Sequence, residues 1–221
     1  MSTVWATFSG GRSSRFGSPK QWAVVDGVSF LMSSTIRMKE VACAGDHTVV
    51  CVSKSTDVVP DETPETGDAL SDFFAEQDSS VLLDDPRCGG PVAGLLAAIR
   101  HAILIRANAL VFQPVDMPFL TSQALVDIRS CAMQNNAISF AAGSQPPKLV
   151  WTLGAIPASM LVEVEQRIIN LTGVNAEVPN TSPGLKTVFD GLNTVVMSLP
   201  DDILRNVNTP SDLSPDEEQP R

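Results

Sequence analysis

Histidine and cysteine are scarce in this chain, with two of the first and four of the second among 221 residues. Cys43, Cys51, Cys88 and Cys131 form no C-x-x-C pair, and His47 and His101 are the two available nitrogen ligands, so a structural zinc site is not expected. Cys43, Cys51 and Cys131 are expected to pack, reduced, as small apolar residues. Cys88 stands beside two glycines without a neighbouring base to activate its thiol, which argues against nucleophilic catalysis there. Long apolar runs are missing too. None approaches the ~18 to 20 residues of a membrane span, and Met1-Ser2-Thr3 lacks the basic and apolar regions of a signal peptide, so a cytoplasmic protein with no membrane partner is expected. No internal repeat and no Pro/Gly/Ser linker divides the sequence, which predicts one domain over 1–213 and a frayed tail over 214–221. Basic residues are outnumbered, with 15 Lys+Arg against 25 Asp+Glu and a net charge of −10, which argues against a nucleic-acid partner.

Against that acidic background, Arg12, Arg15 and Lys20 stand within nine positions of one another, in the stretch Phe8-Ser9-Gly10-Gly11-Arg12-Ser13-Ser14-Arg15-Phe16-Gly17-Ser18-Pro19-Lys20. The stretch follows the apolar run 4–8 and reads as a strand entering a glycine-rich basic loop. Gly10 and Gly11 let successive N–H groups turn toward one anion, and the three cations surround it, so a small polyanion is the expected ligand. A Walker A loop is excluded because Gly17 is followed by Ser18-Pro19-Lys20. A dinucleotide fingerprint is excluded because the glycines stand at 10, 11 and 17. Taken alone, the same spelling also suits an ordinary surface turn.

Strand-length apolar segments alternate with segments of helical period, which predicts an α/β fold with a largely parallel sheet. Strands are expected over 4–8, 47–52, 81–83, 109–112, 137–141, 149–153 and 194–199, with a short hairpin around Asp26-Gly27. Helices are expected over 30–41, where Leu31, Ser34, Thr35 and Met38 share a stripe, and over 91–103, 122–134 and 157–171. The segment 53–80 is dense in Asp, Glu, Pro and Thr and reads as a solvated acidic connection with one helix over 68–76. After the fourth major strand, Pro114 and Pro118 bracket Asp116. Its carboxylate is thereby held on a stiff turn at a strand's carboxyl end, where open α/β sheets bind ligands.

In its loop and in Gly90-Pro91-Val92-Ala93-Gly94-Leu95, Pro114-Val115-Asp116-Met117-Pro118-Phe119-Leu120 and Asn206-Val207-Asn208-Thr209-Pro210, the sequence resembles the MobA-like nucleotidyltransferases, and among them the molybdenum cofactor guanylyltransferases. Four motifs in the same order span nearly the whole chain. The resemblance implies a Rossmann-like three-layer domain with a mostly parallel, mixed sheet, of the nucleotide-diphospho-sugar transferase type. It further implies transfer of a nucleoside monophosphate from an NTP to the terminal phosphate of molybdopterin, with pyrophosphate released. Arg15, Lys20 and Asp116 would be catalytic, and Ser9, Gly10, Gly11, Arg12, Lys20, Asp85 and Gly90 would bind the nucleotide. Asp116 would hold Mg²⁺, or Mn²⁺ in its place, while Asn206 and Asn208 would face the acceptor. The two asparagines and Asp85 suit turns and helix caps equally well on their residue types.

Three departures bear on the substrates. Val52-Ser53 stands where guanine-specific relatives often have Asn, Ser18-Pro19-Lys20 is a spelling more usual in relatives that use CTP, and Pro146-Pro147 replaces a common His-Pro. The expected substrate is GTP, with a cytidylyltransferase, or transfer to a sugar or alcohol phosphate, as alternatives within the same chemistry. A non-catalytic nucleotide-binding or cofactor-delivery protein is the alternative of another class, with 57–78 as a docking surface for transient contact with apo-molybdoenzymes.

Overall fold

The computed structural model of the chain describes residues 2–9, 20–53, 79–86, 88–144, 147–173, 183–209 and 212. Gly10, Gly11, Arg12 and Arg15, residues 54–78 of the acidic segment with the expected helix over 68–76, and the tail over 214–221 lie outside the described residues. Strand β1 (Thr3–Phe8) comes first, and a single 3₁₀ turn (Lys20–Trp22) leads into the hairpin β2 (Val24–Val25) and β3 (Val28–Ser29). The order continues α1 (Phe30–Val41), β4 (His47–Val52), β5 (Ser79–Leu83), α2 (Pro91–Leu104), β6 (Ala109–Pro114), α3 (Ser122–Asn135) and β7 (Ile138–Ala142). It ends with β8 (Leu149–Pro157), α4 (Ala158–Thr172), α5 (Leu185–Phe189) and β9 (Thr194–Ser198).

Seven strands form one sheet in the order β5-β4-β1-β6-β8-β7-β9. Strand β8 runs antiparallel to both neighbours and every other pairing in the sheet is parallel, so the sheet is mixed and mostly parallel, as the alternation of segments predicts. Side chains of β1 and β6 alternate between two cores. Val4, Ala6, Phe8, Leu110 and Phe112 join a cluster with α2, α4 and α5, whereas Trp5 and Val111 join one with Met38 of α1 and the inner face of α3. A strand buried on both faces must be apolar at nearly every position, which is why 4–8 reads as a continuous run.

Local chemistry sets the boundaries. The hairpin turns on Asp26 and Gly27, at φ 51° and 81°, the positive values that a tight two-residue connection requires. Ser29 Oγ accepts the Met32 amide at 3.2 Å and Thr121 Oγ1 accepts the Ala124 amide at 3.2 Å, capping α1 and α3 with about 1 kcal/mol each. Cys51 is buried as expected and Cys131 half-buried, but Cys43 is exposed, a correction to the packing expected of it. It opens a turn in which Asp46 Oδ2 accepts its amide at 3.0 Å, and that turn projects past the end of α1. Among the described residues no helix is long and apolar enough to cross a membrane.

Candidate active site

The order of the sheet reverses at β1, because β4 and β5 lie on one side of it and β6 on the other. In open α/β sheets, the carboxyl ends of strands at such a reversal form the ligand crevice. Two connections meet there. The Ser9 amide donates to Cys51 O at 2.9 Å, and the Val115 amide donates to Phe8 O at 3.1 Å, so the turn carrying Asp116 is tied to the end of β1.

A third segment is docked onto that turn. The Val207 amide donates to Asp116 O at 2.9 Å, and the fully buried Val207 side chain packs with Phe30, Leu31, Val50, Val52 and Val115. Asn206 and Asn208 flank this anchor and are exposed. Asp212 holds the segment from its far end, its Oδ2 accepting the amides of Asn208 at 2.7 Å and Thr209 at 2.8 Å. These bonds, that of Asn208 first, keep the Asp212 carboxyl below its ordinary pKa. Arg205 lies with its guanidinium 5.3 Å from the centre of the Phe119 ring and donates to Asp212 O.

The 3₁₀ turn brings in the last component, Lys20. Its ammonium donates to Asp116 Oδ2 at 2.8 Å, to Asn208 Oδ1 at 2.8 Å and to Asn206 Oδ1 at 3.4 Å. One cation is thus surrounded by three side-chain oxygens delivered from two distant segments. The pair is sheltered but open to solvent, with the Lys20 side chain 13% and the Asp116 side chain 22% exposed. Asp116 Oδ1 is buried and has no hydrogen-bond partner among the described residues, and the same holds for Ser9 Oγ. A carboxylate oxygen in that condition costs about 1 to 3 kcal/mol and calls for a ligand.

That observation tests whether the residues suit Mg²⁺. One carboxylate with an unpartnered oxygen, beside two amide oxygens, is the hard all-oxygen set that Mg²⁺ or Mn²⁺ prefers. Mg²⁺ is commonly held by one or two carboxylates, with substrate phosphates and water as its other ligands. The donor set fits.

Asp85 and Gly90 stand before α2. Asp85 is drawn into an ion pair, its Oδ2 accepting from Arg100 Nη1 at 2.7 Å, while Arg100 Nε donates to Glu165 Oε1 at 3.1 Å. The described contacts therefore link Asp85 to α2 and α4 and not to Lys20 or Asp116. Its neighbour Asp84, which the sequence reading passed over, lies nearer the crevice. The Asp84 amide donates to Val52 O at 2.8 Å and its Oδ2 accepts from Ser53 Oγ at 3.3 Å. A Cβ on Gly94 would stand 3.2 Å from Asp84 Oδ1, from Cys51 Cβ and from Phe8 Cδ1, so glycine lets α2 close onto the ends of β1, β4 and β5. Gly90 precedes α2 at φ 60°, a backbone that L side chains rarely adopt. Asp212 was the site residue most legible in hindsight, since Thr209-x-x-Asp212 has the spacing of a capping box.

Comparisons with known proteins bear on the family and the fold. The family model described as MobA-like NTP transferase domain matches residues 7–173. A protein of Rhodopirellula baltica, named "Probable molybdenum cofactor guanylyltransferase", is 27% identical over 208 residues, which cover 93% of this chain and 87% of the relative. The molybdenum cofactor guanylyltransferase of Sinorhizobium fredii is 26% identical over 218 residues, covering 95% and 88%. The crystal structure of molybdopterin-guanine dinucleotide biosynthesis protein A from Archaeoglobus fulgidus superposes with a TM-score of 0.64 at 19% identity, covering 95% of this chain and 94% of that one. At that identity the superposition speaks for the fold.

Proposed function

The chain belongs to the MobA-like NTP transferase family, and from that premise we propose that it transfers GMP from GTP to the terminal phosphate of molybdopterin. The observation that carries the reading is the convergence of Lys20, Asp116, Asn206 and Asn208 at the reversal of the sheet. An oxygen of the acceptor phosphate attacks the α-phosphorus, the bond from that phosphorus to the bridging oxygen breaks, and pyrophosphate leaves with the electron pair. The new bond makes a pyrophosphate link between the pterin and the nucleoside.

The residues suit that displacement. A phosphate monoester has a second pKa of about 6 and is largely dianionic at neutral pH, so no strong general base is required. Lys20 supplies positive charge fixed by three hydrogen bonds, and Arg15 with the amides of Gly10 and Gly11 would add to it around the triphosphate. Asp116, with Asn206 and Asn208 beside it, would hold Mg²⁺. When bound, that cation neutralises charge on the reacting and leaving phosphates. Ser9, Arg12 and Gly90 complete the proposed nucleotide contacts.

CTP is the second reading, because Ser53 stands at the end of β4 where a guanine reader would be expected, and Pro19 precedes Lys20. Pyrophosphate release from GTP, CTP, ATP and UTP, each with molybdopterin and Mg²⁺, decides between them. We expect kcat/KM for GTP to exceed that for CTP by at least about tenfold. The reverse preference would replace guanylyl by cytidylyl transfer, and no release with any of the four would overturn the molybdopterin assignment.

A further inference from the structure

Helix α1 turns a charged residue inward. Arg37 is 5% exposed and stands on the face that buries Leu31, Ser34, Thr35 and Met38. No carboxylate lies within salt-bridge distance of it among the described residues. Its guanidinium is satisfied instead by neutral oxygens. Nη1 donates to Gln113 Oε1 at 3.1 Å and to Met117 O at 3.4 Å, and Nη2 donates to Ser33 Oγ at 3.4 Å and to Pro118 O at 3.5 Å. Burial pulls the group down to about 10, and Glu40 acts in the opposite sense, so it stays protonated at neutral pH.

Burying a cation without a counter-ion is costly, and a leucine on this stripe would avoid the cost. Arginine adds a rigid fork of donors that a leucine lacks. The fork reaches both ends of one short segment. Gln113 lies before Asp116, and Met117 and Pro118 lie after it. Gln113 is itself 1% exposed and fixed, its Nε2 donating to Thr7 Oγ1 at 3.1 Å and to Ser34 O at 3.0 Å. The segment carrying the proposed metal-holding carboxylate is therefore gripped from beneath at both of its ends.

We propose that Arg37 is a positioning residue for nucleotidyl transfer, its guanidinium clamping the 113–118 segment so that Asp116 keeps its place beside Lys20, Asn206 and Asn208. The inference rests on the reading of Asp116 given above. It concerns the placing of the turn and assigns Arg37 no contact with either substrate.

Arg37→Met and Arg37→Lys in the full chain test it by two readouts, amide hydrogen exchange without ligands and steady-state pyrophosphate release. In Arg37→Met, exchange at the Val115 and Leu120 amides, which donate to Phe8 O and Met117 O, should quicken by at least about tenfold while Ile128, in the α3 core, keeps its protection. A misplaced turn should lower kcat by about 100-fold with KM for the nucleotide nearly unchanged. Arg37→Lys, which keeps the charge and loses the fork, should fall between the two. Wild-type exchange and kcat in folded Arg37→Met would overturn the proposal, as would a loss of activity that only tracks the unfolded fraction. Should Arg37→Met fail to fold, wild-type values of both readouts in Arg37→Lys would overturn it equally. If the wild type releases no pyrophosphate, the functional reading fails while exchange still decides whether the clamp exists.

Discussion

Two clusters of charge face each other in kind. Arg100 stands between two carboxylates, Asp85 at 2.7 Å and Glu165 at 3.1 Å, and ties the end of β5 and the α2 and α4 helices together. Lys20 stands among one carboxylate and two amide oxygens, at 2.8, 2.8 and 3.4 Å, and an oxygen of that carboxylate is buried with no partner among the described residues. Asp85 has a 5% exposed side chain and Asp116 a 22% exposed one. In the first arrangement no buried side-chain oxygen or nitrogen is without a partner among the described residues. The second leaves a buried carboxylate oxygen without a partner among the described residues, a condition that a bound ligand would relieve.

Removing the charge from the second cluster should have the largest effect on activity and a small one on the fold. Asp116→Asn keeps the shape and the bond from Val207, whose acceptor is the backbone carbonyl. Metal-dependent pyrophosphate release should fall by about 1000-fold or more, and the thermal midpoint should hold or rise as the unpartnered oxygen loses its charge. A drop in midpoint with activity preserved would make Asp116 a strut like Asp85. Next in size, Lys20→Met removes the cation but leaves the oxygens. It should lower kcat/KM by about 100-fold, mostly through KM for the nucleotide. Pyrophosphate assays across a nucleotide titration read that split.

The two clusters were unequally legible in the sequence. Asp116 stands out because two prolines and an apolar strand leave a carboxylate few other roles, and its turn falls where the alternation places it. The strand before it runs two residues further than expected, to Pro114, because its parallel pairing with β1 continues to Phe8 opposite Pro114, while its pairing with β8 ends at Phe112. Asp85 reads equally well as a turn residue or a ligand, and its partner Arg100 is 15 positions away, while Glu165, the other carboxylate on that arginine, is 80 positions away, out of reach of any local pattern. Arg37 is hidden for a different reason. A basic residue on a helix is read as solvated, and only the three-dimensional position of the 113–118 segment gives it acceptors. Helix α5 (Leu185–Phe189) escapes because five residues carry too little periodicity. The extra four residues of β8 escape because Gly154 reads as a strand's end and Pro157 as a helix's start, whereas the strand continues through both.

The first cluster should answer the opposite way when it is opened. Asp85→Asn deprives Arg100 of one carboxylate, but Arg100 is 38% exposed and keeps Glu165, so the loss should be about 1 to 2 kcal/mol of unfolding free energy by denaturant titration. KM for the nucleotide should stay at the wild-type value. A KM raised tenfold or so with stability intact would return Asp85 to the nucleotide contacts and erase the contrast drawn between the clusters.

The smallest effect belongs to the pair His47 and His101, whose ring centroids are 5.4 Å apart. His47 opens β4 at the end remote from Val52, so the pair serves as a control away from both clusters. Burial, and then the neighbouring His47, hold the His101 imidazole below its ordinary 6.5. Its folded pKa is the lower of the two, so above the unfolded value both states are neutral there and stability does not respond. As pH falls from 6.5 through the folded pKa, the unfolded chain takes up the proton first and stability declines. Replacing His101 by Gln should flatten the stability curve as pH falls through the His101 titration, because no proton is then taken up on unfolding at that position. The pH profile of kcat should be the same in both proteins. An altered kcat profile would mean that the remote end of the sheet reaches the crevice, and the separation between strut and site would no longer be one of place.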